Sequence, residues 1–250
     1  MSIHVHKTGL NKTLGQQSDA IVTASLVGDF QPSQGIGTAS YWDNQVSSGK
    51  NLRRFNSITH NNSTPHNFQF DGTDDYLGAA STGYGGDPFT IDITNAFTIC
   101  QWVKYNDANH YVFYVSIDGS NYISLNLNAG TADKATISTY TSSGNGDSAF
   151  SSFTFADDTW YYVSLVHDGS GNYSLFVNGS YIGTADLEAA TGGAGNLVIG
   201  KYGGSYSASG TKIGHVHVYT AALTNSQLRQ NFLASHVINN TRVYGATYAA

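Results

Sequence analysis

The alternation of apolar and polar residues along this chain is that of extended backbone. Around residues 97–105, Phe97, Ile99 and Val103 fall on one side and Cys100 and Trp102 on the other, because successive side chains of a strand point to opposite faces. Apolar groups on both sides predict a strand that is covered on both faces. Residues 111–117 and 122–128 flank Asp118-Gly119-Ser120-Asn121 and predict a hairpin. The device recurs where 161–167 leads into Asp168-Gly169-Ser170-Gly171-Asn172 and 173–177 returns. Asn178-Gly179 then predicts a type I′ turn, whose two central residues need positive φ, with 180–184 as the next strand. Further strands are expected at 67–70, before an Asp71-Gly72 turn, and at Tyr76-Leu77, 197–200 and 212–219. Residues 31–67 read as loop-rich, with Trp42 as an anchor. Residues 1–17 lack periodicity and read as an arm ahead of a folded region that starts near Asp19.

One helix is predicted, near the end. Thr224 and Gln227 stand three apart as a capping box, and Leu228 and Phe232 share a face at i and i+4. Short strands with regularly spaced turn signals predict an all-β fold, a two-sheet antiparallel sandwich with one short C-terminal helix. The expected organisation is an arm at 1–17, a single domain at 18–236 and a tail at 237–250.

Composition narrows the function classes. Charged residues make up 11% of the chain, against roughly 25% in an average soluble domain. A net charge of −6 with no basic stripe argues against nucleic acid and anionic lipid. A single cysteine, Cys100, excludes an internal disulfide and thiolate-rich zinc sites. No apolar run approaches the roughly 20 residues that span a bilayer, and the first fifteen residues lack the apolar core of a signal peptide. The expectation is synthesis in a cytosol with an outward-facing composition, as in a virus particle. Of 17 acidic residues only one, Glu188, is a glutamate. One glutamate cannot form the Glu/Glu pair used by jelly-roll glucanases, so non-enzymatic action by surface contact is expected.

Several segments in order resemble a known family. Phe70-Asp71-Gly72-Thr73-Asp74-Asp75-Tyr76 resembles the FDGxDDY signature of laminin-G-like jelly-roll domains of the concanavalin A-like lectin/glucanase superfamily. Phe97 to Lys104 is similar to its FTISAWVK strand. Trp160-Tyr161-Tyr162-Val163 with Leu175-Phe176-Val177-Asn178-Gly179 is similar to its WxxV…LYVNG pair, Leu197-Val198-Ile199-Gly200 to its LxIG strand, and Val218-Tyr219 through Ala222-Leu223-Thr224 to its VRIYNRALS ending. The match runs from about residue 19 to 235. Gly35-Ile36-Gly37-Thr38 with Tyr41-Trp42-Asp43, and Gln230-Asn231-Phe232 leading to Arg242-Val243-Tyr244-Gly245, resemble the variant found in bacteriophage structural proteins.

The resemblance implies a convex and a concave antiparallel sheet, with rim loops that bind sugars or proteins. It also implies one Ca²⁺ as a candidate cofactor, for which Asp71, Asp74 and Asp75 are the candidate ligands, with Asp87 and Asp92 as further hard oxygen donors. The chain departs from the family at Gly214, where the closing strand usually carries an aspartate. Without a metal, these aspartates cap turns.

The remaining candidates are weaker. His215 and His217, like His4 and His6, are two apart and share a strand face, but no third ligand stands nearby in sequence. Cys100 is expected to be a buried thiol. Asp74/Asp75 and Asp157/Asp158 are expected to point to opposite sides of an extended backbone. Tyr84 and Asp87 in one Gly-rich loop, and Tyr202 and Tyr206 in a Gly/Ser-rich loop, are the candidate ligand-binding residues, since tyrosine combines a stacking face with a polar tip. The first functional expectation is a virion structural protein of a tailed phage, in capsid decoration or tail. Its partners would be other virion proteins in an oligomeric assembly and host surface glycan, with no nucleic acid and no membrane insertion. The alternative is a lectin-like adhesion module that recognises polysaccharide.

Overall fold

The computed structural model describes residues 20–34, 41–46, 50–78, 89–118, 121–128, 131–141, 144–150, 152–187, 192–238 and 241–242. The expected arm at 1–17, together with His4, His6, Tyr84, Asp87 and Glu188, lies outside the described residues. In chain order the strands are β1 (Leu26–Phe30), β2 (Tyr41–Trp42), β3 (Leu52–Phe55), β4 (Thr59–Asn61), β5 (Asn67–Gln69), β6 (Tyr76–Gly78), β7 (Thr90–Asp92), β8 (Phe97–Tyr105), β9 (His110–Ser116) and β10 (Tyr122–Leu127). They continue with β11 (Ala135–Thr141), β12 (Gly144–Phe150), β13 (Thr159–His167), β14 (Asn172–Val177), β15 (Ser180–Asp186), β16 (Ala194–Ile199), β17 (Lys201–Tyr202), β18 (Ser205–Tyr206) and β19 (Lys212–Tyr219). The helix α1 (Asn225–His236) follows, then β20 (Val237–Ile238) and β21 (Thr241–Arg242), which pair within the expected tail.

The first sheet runs β15-β14-β13-β8-β19-β5-β4, with β1 also on β19. The second runs β12-β11-β10-β9-β16-β6-β3-β2, with β7 also on β16. All the pairings are antiparallel, giving the two-sheet jelly-roll sandwich. Between the sheets lies one core, with Phe97, Ile99, Val103, Val163, Leu165 and Val218 from the first sheet and Phe113, Val115, Ile123, Leu125, Leu197 and Ile199 from the second. Trp42 is buried in it against Phe30 and Phe68. Asn178 and Gly179 have φ of 52° and 74°, as the I′ turn between β14 and β15 requires.

β8 is covered on both faces. Cys100 and Trp102 belong to a second apolar cluster, with Tyr162, Tyr219, Leu228 and Phe232, that α1 seals against the outer face of the first sheet. Thr224 caps the helix as expected: its amide donates to Gln227 Oε1 at 2.9 Å and its Oγ1 accepts from the Gln227 amide at 3.4 Å. Trp102 Nε1 donates to Ser235 Oγ at 2.9 Å. The segment before β1 joins the same layer, with Val22 N–H donating to Asn231 Oδ1 at 2.8 Å and Gln230 Nε2 to the Ala20 carbonyl at 2.8 Å. No helix among the described residues is long and apolar enough to cross a membrane.

Two stretches differ from the sequence reading. Residues 31–67 are not simply loop, because β2 and β3 pair within them, β3 extends the second sheet through β6, and β4 pairs with β5 on the first sheet. Residues 135–150 form the β11–β12 hairpin, whose inward positions include Thr139 and Thr141 in place of large apolar residues.

Candidate functional site

Strand alternation on the second sheet sends Phe113, Val115, Ile123, Leu125 and Ile137 inward, leaving tyrosine and small polar residues outward. Tyr122 stands opposite Tyr140 on one side and Ser116 on the other; Ser124 stands between Ser138 and Tyr114. A register shift at Leu125/Asn126 brings Tyr111, not Val112, opposite Asn126. Tyr122 and Tyr140 stack with centroids 5.4 Å apart and planes at 19°, and Tyr114 lies 5.2 Å from Tyr122. Between the rings is a polar floor. Ser124 and Asn126 are both buried, Asn126 Nδ2 donates to Ser124 Oγ at 3.2 Å, and Asn126 Oδ1 has no partner.

The β17–β18 hairpin lies over this face, and its position follows from the backbone. Gly200 N–H donates to the Tyr111 carbonyl at 2.9 Å, and the Tyr111 amide donates to Ser207 Oγ at 2.9 Å. Gly200 has φ +85°, and a Cβ there would sit 2.4 Å from the Phe70 ring, so only glycine allows this approach. Tyr202 then stacks on Tyr111 at 5.9 Å and meets Tyr114 and Tyr122 edge-on at 5.4 and 5.5 Å. The Tyr202 and Tyr122 hydroxyls are 2.5 Å apart.

On the other side of the hairpin the face changes character. Phe55 and Tyr76, cross-strand neighbours on β3 and β6, stack at 4.1 Å and 6°. Lys201 Nζ lies 4.6 Å from the Tyr76 centroid and 5.0 Å from that of Tyr206, and the Arg53 guanidinium carbon is 4.9 Å over Phe55. Burial raises the pKa of Tyr76 and Tyr114 above the ordinary phenol value, the neighbouring Tyr206 adding to it at Tyr76, so both stay neutral hydroxyls at physiological pH.

The acidic loop before β6 is a separate feature. Asp71, Asp74 and Asp75 each place a carboxylate oxygen within 4.8 Å of the other two. The expectation that Asp74 and Asp75 point apart is therefore corrected: they lie in a bend, not on extended backbone. Asp71 Oδ1 accepts from the Thr73 amide at 2.7 Å, the turn-capping role expected of it, and the Asp71 amide donates to Asp75 Oδ2 at 3.0 Å. Asp75 is buried, its Oδ1 lacks a partner, and burial raises its pKa. Clustered hard oxygens, one of them orphaned, fit a hard divalent cation such as Ca²⁺; the three carboxylates would hold it, and its charge would offset their mutual repulsion. Gly214 lies in an irregular stretch of β19 between Ile213 and Val216.

The histidine pair is not assembled for a metal. His215 and His217 are buried with ring centroids 6.1 Å apart, and His217 already bonds Tyr162 Oη at 3.0 Å through Nδ1. Burial pushes their pKa values down to about 3 and about 4. His217 Nε2 is 3.6 Å from Asp29 Oδ1, a neutral imidazole beside a carboxylate at neutral pH. Cys100 is buried, and burial pushes its thiol up to about 11, which makes it inert.

A profile described as the concanavalin A-like lectin/glucanases superfamily matches residues 71–229. The chain belongs to this superfamily. Solved structures agree at the level of fold. A Trypanosoma rangeli sialidase in complex with sialic acid superposes with a TM-score of 0.62 at 16% identity, covering 86% of this chain and 34% of that one. The binding domain of botulinum neurotoxin serotype G superposes with a TM-score of 0.62 at 10% identity, covering 83% of this chain and 50% of that one. A botulinum neurotoxin type C structure, whose title reports cell entry dependent upon two ganglioside molecules, superposes at 0.57 and 10% identity, with 83% and 50% coverage. The chain thus spans between a third and a half of these proteins. No curated protein matches it significantly in sequence.

Of the predicted binding residues of this lectin-like domain, Tyr202 and Tyr206 both lie on the aromatic face, in a short hairpin and not in a flexible loop. Tyr84 and Asp87 lie outside the described residues. The sequence reading missed Tyr111, Tyr114, Tyr122 and Tyr140. Each sits in a strand where a sandwich residue would sit, and only cross-strand register gathers them. The signal available for Tyr114, Tyr122 and Tyr140 was their outward parity on β9 to β11, opposite to Phe113, Ile123 and Ile137; Tyr111 shares the parity of Phe113 and faces outward only through the register shift.

Proposed function

We propose that this domain is a carbohydrate-binding module whose ligand lies across the outer face of the second sheet. The observation that carries the reading is the cluster of Tyr111, Tyr114, Tyr122, Tyr140 and Tyr202 around the buried amide of Asn126. The part-exposed rings of Tyr114, Tyr122, Tyr140 and Tyr202 offer apolar faces to sugar C–H groups, while their hydroxyls and the polar floor supply donors and acceptors for sugar hydroxyls. On β9 to β11 the rows that cross this face present aromatic, amide, hydroxyl and small side chains. A place on a phage virion, in head or tail, rests on the sequence resemblance alone. The aromatic face would serve host-glycan attachment in that setting as in any other.

Glycan-array binding followed by affinity electrophoresis on the best polysaccharide tests the reading. Tyr114→Ala and Tyr202→Ala are expected to weaken binding at least about tenfold, roughly 1.4 kcal/mol or more. Thr224→Ala, at the helix on the opposite sheet, leaves binding unchanged. Failure of the intact protein to bind any glycan would discard the proposal.

A further inference from the structure

Lys201 divides the aromatic face by charge. Its Nζ is held between the rings of Tyr76 and Tyr206 at 4.6 and 5.0 Å, and among the described residues no carboxylate lies within ion-pair distance of it. In a chain of net charge −6, a cation placed on a ligand face against two π-systems, with Arg53 over the adjoining Phe55 ring, is a local reversal of sign. Ring faces attract the ammonium through their quadrupoles and hold the side chain in place, so little rotamer freedom is left to lose when an anion arrives.

Two features of this half fit one sugar residue. Phe55 and Tyr76 are nearly parallel in their stack, and Lys201 stands over the Tyr76 ring on β6. With one face of each ring against the other and a cation over the second, a sugar bearing a carboxylate on its ring can lie along the part-exposed ring edges while its anion reaches the ammonium. Asp75, next to Tyr76, is buried, so its carboxylate does not occupy the outer face. The half around Tyr122, Tyr140 and Tyr202 is built from tyrosines, serines and an amide and fits neutral sugar units.

We propose that Lys201, assisted by Arg53, forms a subsite for the carboxylate of an acidic sugar residue, so that the domain prefers carboxylated over neutral glycans. This rests on the glycan-binding reading given above. The test is a panel of matched pairs: polygalacturonate against its methyl ester, sialyllactose against lactose, and dextran sulfate against dextran, within a wider glycan array. The carboxylated member of at least one pair is expected to bind about tenfold more tightly at low salt, the range of one charge-assisted contact. The preference shrinks above roughly 0.15 M salt, where screening acts within about 8 Å. Lys201→Gln should narrow it to within about twofold, and Lys201→Arg should restore it, which a merely structural role for the side chain would not do. Binding confined to neutral glycans, a preference that survives Lys201→Gln with Arg53→Gln, or a preference for sulfate over carboxylate would each overturn the subsite while leaving the module a lectin. Absence of any glycan binding would remove both.

Discussion

The two outer faces of this sandwich carry similar aromatic content and opposite fates. On the first sheet, Trp102, Tyr162 and Tyr219 are fully buried beneath α1, which presses Leu228 and Phe232 onto them. On the second, Tyr114, Tyr122, Tyr140 and Tyr202 pack against one another and stay partly exposed. Aromatic side chains alone therefore do not mark a site. A helix whose cap and face are matched to a sheet turns the same chemistry into a second core. The second face, which no helix covers among the described residues, keeps part-exposed rings above its polar floor.

Breaking the sealed face should cost the most. Trp102→Ala removes a fully buried ring and its bond to Ser235, and about 3–5 kcal/mol of stability should be lost in urea unfolding. The next effect is of pH. His110, His215 and His217 are held by burial at about 3, about 3 and about 4, below the ordinary 6.5. As pH falls below about 6.5 the unfolded chain takes up protons that the folded chain refuses. Stability should therefore be full above that value and decline toward pH 4. Asp29, its pKa raised by burial, works in the opposite sense and offsets part of the decline. Melting temperatures across pH 4–7 check this, with a shallower decline in His217→Gln.

Tyr114→Ala sharpens the contrast from the other side, with a smaller loss of stability than Trp102→Ala and a loss of glycan binding of tenfold or more, read by calorimetry and affinity electrophoresis. Thr224→Ala should cost about 1 kcal/mol through the helix cap, with binding intact. Least of all, Asp158→Asn removes an ion pair to Lys104 whose carboxylate is fully exposed; neither melting temperature nor binding should move measurably.

What could be read from the sequence follows the range of the interactions. Turn and cap chemistry is local, so Asn178-Gly179, Asp168-Gly169 and Thr224-Gln227 announced their structures directly. The two-sided apolar pattern of β8 announced that both its faces would be covered. The β11–β12 hairpin escaped because Thr139 and Thr141 take inward positions that a hydrophobicity pattern expects to be aliphatic. Sheet order escaped too, since β8 lies between β13 and β19, pairings that join residues far apart in the chain. For the candidate site, Tyr202 and Tyr206 stood out in a Gly/Ser-rich context. Their partners on β9 to β11 did not, because a strand tyrosine looks the same whether it faces a core, a helix or a ligand.

The hydrogen bonds that tie Ala20 and Val22 to Gln230 and Asn231 fasten the segment before β1 to the middle of the helix. That segment and the helix therefore share the back of the sandwich, on the sheet opposite the tyrosines.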